Sequence, residues 1–455
     1  MNKEYLESRR QQVLEQMEDG SIGVIYSGID LHVSLDEYYP FEVNKTFFYL
    51  TGIARNQMIL FLDKTNPEKT RTMLFIEEAD PKDEKWFGKK LTKEEAKQES
   101  GIEQIEYLDS FPSIVGRLIS GCAAWKAYFD LSRESEEDLP DYNQVKGLEF
   151  QRNYPGIVLG DLFPITAYMR MTKDAGEIEA IQKAVDMTRQ GLEDVLKTLK
   201  PGMKEYQAQA NYEYRIRYLG SSGPSFQTIA GSGYNGTMLH YETNQCECKD
   251  GDLLLLDLGA KYEGYCSDIT RTYPINGTYS KRQREIYEIV LKANKEVIAQ
   301  AKPGMTTVEL NDICKKILAD GLIQLGLIQK ESELGKYYMH GVSHHLGLDV
   351  HDATHSKGKK LRSGAVITNE PGLYIEEEKY MESMDILNKG IENVGDSANL
   401  FYNRSCVKLK LNLIDEAFED LYKSIKLDSL IIEYLKFDTD FDDYRNNELY
   451  KKIIN

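Results

Sequence analysis

Long apolar runs are missing from this 455-residue chain. The longest, such as Leu253–Leu256, fall far short of the roughly 20 apolar residues that a bilayer-crossing helix needs. No membrane partner is therefore expected. Basic charge is also scarce, with 56 Lys and Arg against 74 Asp and Glu and a formal net charge of −18. That balance argues against nucleic acid or an anionic membrane surface as the main partner. Cysteine is thin too. Six of them (Cys122, Cys246, Cys248, Cys266, Cys314 and Cys406) are scattered along the chain, which excludes a disulfide scaffold and reads as reduced cytosolic thiols. Cys246-Glu247-Cys248 is tighter than the usual zinc spacing and has no second pair, so it reads as a loop. The opening residues alternate in charge without the apolar stretch of a signal peptide, and a cytoplasmic location is expected.

What is present fills two or three domains. Residues 1–165 mix short apolar runs with turn signals, as an α/β domain does. Ile22–Tyr26, Thr46–Leu50, Met58–Leu62 and Thr72–Ile76 read as strands, and Lys3–Met17 and Lys93–Glu99 as helices. Trp86-Phe87-Gly88-Lys89-Lys90 reads as a surface loop. From about Lys173 the pattern turns to long amphipathic helices. One carries Ile178, Ile181, Val185, Leu192, Val195 and Leu196 and ends at Lys200-Pro201-Gly202-Met203. A second, Gln283 to Ala301, ends at Lys302-Pro303-Gly304-Met305. The same four residues recur 102 positions apart, each after a helix of similar length and before another, which implies a duplicated αα-strand unit. Gly251 to Asp257 and Gly364 to Glu370 extend the match, each expected to be a strand with an acid near its end.

Of the seven histidines, all but His32 fall between His240 and His355. Asp257 lies on the apolar strand Leu253–Leu258, and Asp268 on a following strand, Tyr265–Thr272. A turn between Tyr262 and Glu263 would set the two aspartates opposite each other, with Cβ atoms about 4.5–5.5 Å apart. Two carboxylates so placed in an apolar sheet repel, and a divalent cation would neutralise them. Lone histidines are usually packing or surface residues. His340, His344, His345 and His351, four in twelve positions and flanked by glycines that allow close backbone approach, shift the balance toward ligands. Asp257, Asp268, His344 and Glu370 together offer oxygen ligands and one imidazole, which suits manganese, iron, cobalt or zinc.

Ser232-Gly233-Tyr234-Asn235 with Leu239-His240-Tyr241, Leu256-Asp257-Leu258-Gly259, Ser267-Asp268-Ile269-Thr270-Arg271, His340 through His351-Asp352, and Asn369-Glu370-Pro371-Gly372 occur in the order seen in aminopeptidase P. Residues 1 to about 376 resemble that family closely, and its relatives prolidase and creatinase more loosely. The resemblance implies an α/β creatinase-like domain over 1–165 and an α+β pita-bread catalytic domain over 170–376. Two divalent metal ions, expected as Mn2+, would share bridging carboxylates. By resemblance Asp257 binds one metal, Asp268 and Glu370 bridge, and His344 binds the other. Glu370 would also shuttle the proton from water to the leaving amine, while His240, His340 and His351 match the family's substrate-binding histidines. His345 reads as packing. The implied substrate is a peptide with proline in second place, and the implied assembly a homo-oligomer, a dimer.

The family has one more bridging glutamate, in an Arg-Ile-Glu strand after Glu370, and the internal duplication calls for it as well. Here Tyr374-Ile375 leads instead into Glu376, Glu377, Glu378 and Glu382, which read either as substitutes or as a solvated helix start. Residues 380–455 are expected to be helical. Ala398–Asn412 and Ile414–Asp428 resemble a single tetratricopeptide repeat, with small residues at Ser405, Ala417 and Ser424, and a peptide or protein could dock there. An inactive or one-metal remnant with a protein-binding tail, and an Xaa-Pro dipeptidase, are the alternative readings.

Overall fold

The computed structural model describes residues 2–454 apart from 81, 83, 134, 356–358, 376, 377 and 412, and only the backbone of 378–382, 385, 439 and 443. The first domain is built on a six-stranded sheet: β1 (Ser21–Tyr26), β2 (Ile59–Lys64), β3 (Arg71–Ile76), β4 (Gln104–Tyr107), β5 (Lys126–Phe129) and β6 (Val158–Asp161), in the order β4-β3-β2-β1-β5-β6. β1 runs antiparallel to β2 and parallel to β5. Strand alternation sends Ile22, Val24 and Phe61 to one apolar face, and Ile25, Leu60 and Leu62 to the other.

Three of the four expected strands lie where the sequence places them. Thr46–Leu50 does not: it belongs to the helix Lys45–Thr51. Its β-branched and aromatic composition reads as strand, yet the side chains from Thr46 to Thr51 are all buried. An Asn44 side-chain cap on Phe47 N–H and a left-handed Gly52 close the helix at its two ends. Tertiary burial on every side outweighs local propensity here. Trp86 and Phe87 are exposed, but they end the short helix Glu84–Phe87, so the expected surface loop is helical in its first two residues.

The helix Ala175–Thr198 starts the second domain, capped by Asp174 and packed on the helix Glu205–Tyr218. Its counterpart pair, Lys281–Gln300 and Thr307–Gln324, flanks the second Lys-Pro-Gly-Met. The duplication extends to individual hydrogen bonds. Gly202 N–H donates to Cys248 O and Cys248 N–H to Met203 O; Gly304 N–H donates to Leu361 O and Leu361 N–H to Met305 O.

The first half completes its β layer with β7 (Gly223–Pro224), β8 (Ile229–Ser232), β9 (Leu253–Leu258), β10 (Ala260–Tyr262), β11 (Tyr265–Cys266) and β12 (Ile269–Pro274), arranged as β11-β10-β7 and β12-β9-β8. In the second half, Val342–Leu346 pairs with Val366–Glu370 through Glu370 N–H to Val342 O, Thr368 N–H to His344 O and Leu346 N–H to Val366 O. This ladder matches β8-β9, but only the bridge His345 to Ile367 is regular enough to count as β structure. The strand expected at Gly364 to Glu370 is thus a short extended stretch, because the partner corresponding to β12 does not occur among the described residues. Instead the backbone enters the helix Glu378–Val394. Of the acids proposed as substitutes, Glu376 and Glu377 lie outside the described residues, as do the side chains of Glu378 and Glu382.

The C-terminal region is helical. Ala398–Lys410 packs on Ile414–Leu427 with Ser405, Ala417 and Ser424 fully buried or nearly so, as close helix approach requires. Among the described residues, its small core of Leu409, Phe418, Leu421, Leu435, Phe441 and Tyr450 contains none from the first 395. By contrast, the core under β2 runs on into Tyr265, Cys266, Leu346 and Leu348, so the first domain and the segments that carry the site share one packed interior.

Candidate metal centre

The aspartate hairpin turns at Glu263-Gly264, not between Tyr262 and Glu263. Both turn residues have positive φ (46° and 82°), the geometry that joins two strands through a two-residue loop. Tyr262 therefore pairs with Tyr265, and Asp257 lies opposite Thr270 rather than Asp268. The register differs from the expected one by two residues, an even number, so both aspartates keep to one face as diagonal neighbours.

The second hairpin strand is interrupted at Ser267-Asp268, where the chain passes from one small sheet to the other. Gly259 makes the crossing possible: a Cβ there would lie 1.9 Å from Ser225 Oγ and 2.1 Å from Ser267 O. Ser267 Oγ receives Ala260 N–H at 2.9 Å and lies 2.7 Å from Thr188 Oγ1, which fixes the bend that carries Asp268.

From the second half, His344 Nε2 approaches Asp268 Oδ2 at 3.3 Å and Glu370 Oε1 at 3.1 Å. Thr270 donates to Asp257 Oδ1 at 2.8 Å and Thr368 to Glu370 Oε1 at 2.7 Å. Burial and the nearby Asp268 and Glu370 charges push the Asp257 carboxyl up to about 7. For His344, burial works against the charged form, but hydrogen bonds to Asp268 and Glu370 prevail and push the imidazole up to about 10. Burial also opposes ionisation of Glu370, yet His344 and Thr368 hold it below the usual carboxylate range.

The four expected ligands are thus linked through contacts and charge. Among the described residues, no three acid, imidazole or thiol groups are already disposed around a single metal position. His344 stands between the carboxylates in the role a cation would take. Three acids with one imidazole, and a carboxyl driven to about 7 by burial and by its acidic neighbours, are the chemistry that a divalent ion relieves. The donor set fits a metal. Ser343 Oγ and Asn369 Oδ1, on residues adjacent in sequence to His344 and Glu370, are buried without hydrogen-bond partners among the described residues.

The remaining histidines differ in placement. The His351 ring centroid is 4.3 Å from that of His344. His340 Nε2 bonds Tyr374 Oη at 2.8 Å, and its charge reaches Glu370. His240 is exposed on the turn after Gly233–Thr237, and among the described residues no contact ties it to the cluster. His345 is buried, as packing implies, and burial with the charge of Lys173 pushes it down to about 4.

Sequence reasoning missed Tyr374, Thr270 and Thr368, although each stands within four residues of a candidate ligand. It also missed a buried charge cluster under the histidine segment. Asp352 accepts from Arg170 Nη2 at 2.5 Å and Lys173 Nζ at 2.9 Å, and Asp349 accepts from Arg170 at 2.6 Å. Arg170 and Lys173 lie about 180 positions away in sequence, so no local signal joins them to Asp352.

Comparison with known proteins identifies the family. Residues 6–128 match the aminopeptidase P N-terminal domain, and residues 179–396 match metallopeptidase family M24. The chain is 33% identical to the Xaa-Pro aminopeptidase of Escherichia coli K12, with 82% of this chain and 88% of that protein covered. It is 32% identical to the enzyme of the same name from Haemophilus influenzae, covering 83% and 87%. Among solved structures, zinc-substituted E. coli aminopeptidase P in complex with product aligns with a TM-score of 0.74 at 32% identity, covering 83% and 88%. The fold and the acid-histidine cluster define a metallopeptidase. The chain belongs to the aminopeptidase P family of M24 metallopeptidases, and is a metal-dependent hydrolase of that family.

Proposed function

We propose that this protein is a manganese-dependent Xaa-Pro aminopeptidase that releases the N-terminal residue from peptides with proline in second place. The observation that carries the reading is the gathering of Asp257, Asp268, His344 and Glu370 from both halves of the duplicated unit. These residues would hold the divalent ions, Mn2+ being the choice their oxygen-rich chemistry favours. When bound, such ions acidify a water and polarise the scissile carbonyl. Glu370, kept ionised by His344 and Thr368, takes a proton from the attacking water and returns it to the leaving amine. His340, backed by Tyr374, holds the peptide together with His351 and His240, donating to charge that develops on the carbonyl oxygen. A cytoplasmic homodimer, with domains at 1–165, 170–376 and 380–455, completes the proposal.

Release of glycine from Gly-Pro-X tripeptides, measured after reconstitution with Mn2+, Co2+ or Zn2+ in parallel, tests it. Cleavage confined to the Gly-Pro dipeptide would make the protein a dipeptidase instead. One observation favours a second reading, an inactive or one-metal protein: the strand corresponding to β12 is not found in the second half among the described residues. Metal content by elemental analysis separates the two, with two ions per chain expected for the working enzyme and one or none for the remnant.

A further inference from the structure

Glu205 opens the helix Glu205–Tyr218 and has no exposed surface. No Lys, Arg or His among the described residues pairs with it. Five donors converge on its carboxylate instead. Oε1 accepts from Ser232 N–H at 2.8 Å, Ser232 Oγ at 2.7 Å and Asn235 Nδ2 at 3.0 Å. Oε2 accepts from Tyr241 Oη at 2.7 Å and Cys246 N–H at 2.9 Å. Its own backbone N–H donates to Cys246 O at 3.0 Å. A buried carboxylate without a counter-ion persists only when hydrogen bonds and a helix N-terminus offset its desolvation. These donors lie at both ends and in the middle of segment 232–246, the stretch that carries His240.

The duplication shows that the shared fold does not need this carboxylate. Counting from the two Lys-Pro-Gly-Met motifs, Thr307 stands where Glu205 does, and its helix is capped at the surface by Thr306 and Glu309. In the second half, the stretch that starts at His345 and carries His351 is tied down by a different acid, Asp352, through Arg170 and Lys173. Each half thus secures its histidine-bearing segment with one buried carboxylate, from unrelated positions. A group required to fold the common unit would recur at the same place in both.

We propose that Glu205 is a positioning residue that fixes segment 232–246 and so presents His240 to the peptide, a role resting on the aminopeptidase reading. Glu205→Gln tests it, being nearly isosteric. A carboxamide offers one acceptor oxygen, so either Ser232 N–H or Cys246 N–H would face an amino group. Loss of one such bond to a charged acceptor corresponds to about 10–100-fold. Hydrogen exchange of the Ser232 and Cys246 amides should accelerate by about that factor, while the helices Ala175–Thr198 and Glu205–Tyr218 change less than about twofold. On a Gly-Pro-X tripeptide, kcat/KM should fall by a similar factor. The double variant Glu205→Gln/His240→Ala should be no slower than His240→Ala alone, because both lesions remove the same contribution. Unchanged exchange, acceleration throughout the protein, or additive losses in the double variant would each overturn the proposal. Should Glu205→Gln not fold, Tyr241→Phe, which removes one donor to the charged Oε2, carries the test by the same measurements with a loss of about 10–100-fold. The exchange experiment needs no turnover. An inactive wild type would refute the aminopeptidase reading and leave exchange to decide whether Glu205 holds the segment.

Discussion

Replacing Asp352 by Asn removes a charge and almost no volume, which isolates electrostatics at the base of the histidine segment. Asp352 has 2% of its side chain exposed, Lys173 has 1% and Arg170 has 3%. The substitution leaves Lys173 without a carboxylate, whereas Arg170 keeps Asp349 at 2.6 Å, itself 41% exposed. Breaking a buried pair from one side costs about 3–5 kcal/mol, and the surviving Asp349 contact places the expected loss near the lower figure. The first domain and the site share one core, so about 370 residues unfold together. At about 2.1 cal/mol/K per residue, 3–5 kcal/mol lowers the melting midpoint by about 4–6 °C. Calorimetry of wild type and variant at neutral pH measures this. The acid side provides a control. Burial favours the protonated form of Asp352, but Arg170 and Lys173 outweigh it and depress the folded-state value. Its stabilisation is therefore complete above the ordinary carboxylate range and is lost as pH falls through the depressed value, where the two proteins should converge. A midpoint shift below about 1 °C at neutral pH, or a difference that grows on acidification, would refute the assignment of this cluster as a charge-held anchor.

Asp268→Ala should abolish peptide hydrolysis while leaving circular dichroism unchanged, since it deletes a ligand and no core contact; retained turnover would remove Asp268 from the site. Metal at about 100 times its dissociation constant should stabilise the metal-stripped protein by about 2.7 kcal/mol. In His344→Ala that gain should shrink markedly, read as a smaller thermal shift on adding Mn2+. Deleting residues 396–455 removes a core whose described members all lie beyond residue 395, along with the packing of Ala398–Lys410 on Glu378–Val394, so the main calorimetric transition should stay within about 2 °C; a larger drop would show that the helical tail supports the site.

Much of the site could be read in the sequence because its ligands sit in short, dense motifs. Asp257 and Asp268 flank one hairpin, and His340 to His351 span twelve positions. The duplication was legible for a similar reason: Lys-Pro-Gly-Met closes a helix through its own local geometry, and the two copies keep the same hydrogen bonds to a later segment of the chain. The helix Lys45–Thr51 was not legible, since its composition favours a strand and only burial on every side decides otherwise.

What the sequence determined alone was the chemistry: which acids and which imidazole are available, and that a divalent ion suits them. Tertiary structure decided their arrangement. The Glu263-Gly264 turn sets Asp257 against Thr270, Arg170 and Lys173 reach Asp352 from about 180 residues away, and Glu205 ties down the segment that bears His240. Ligand identity is a property of single side chains, and short motifs record it. Register, burial and charge compensation are properties of chain segments brought together from afar, and they exist only once the core has closed.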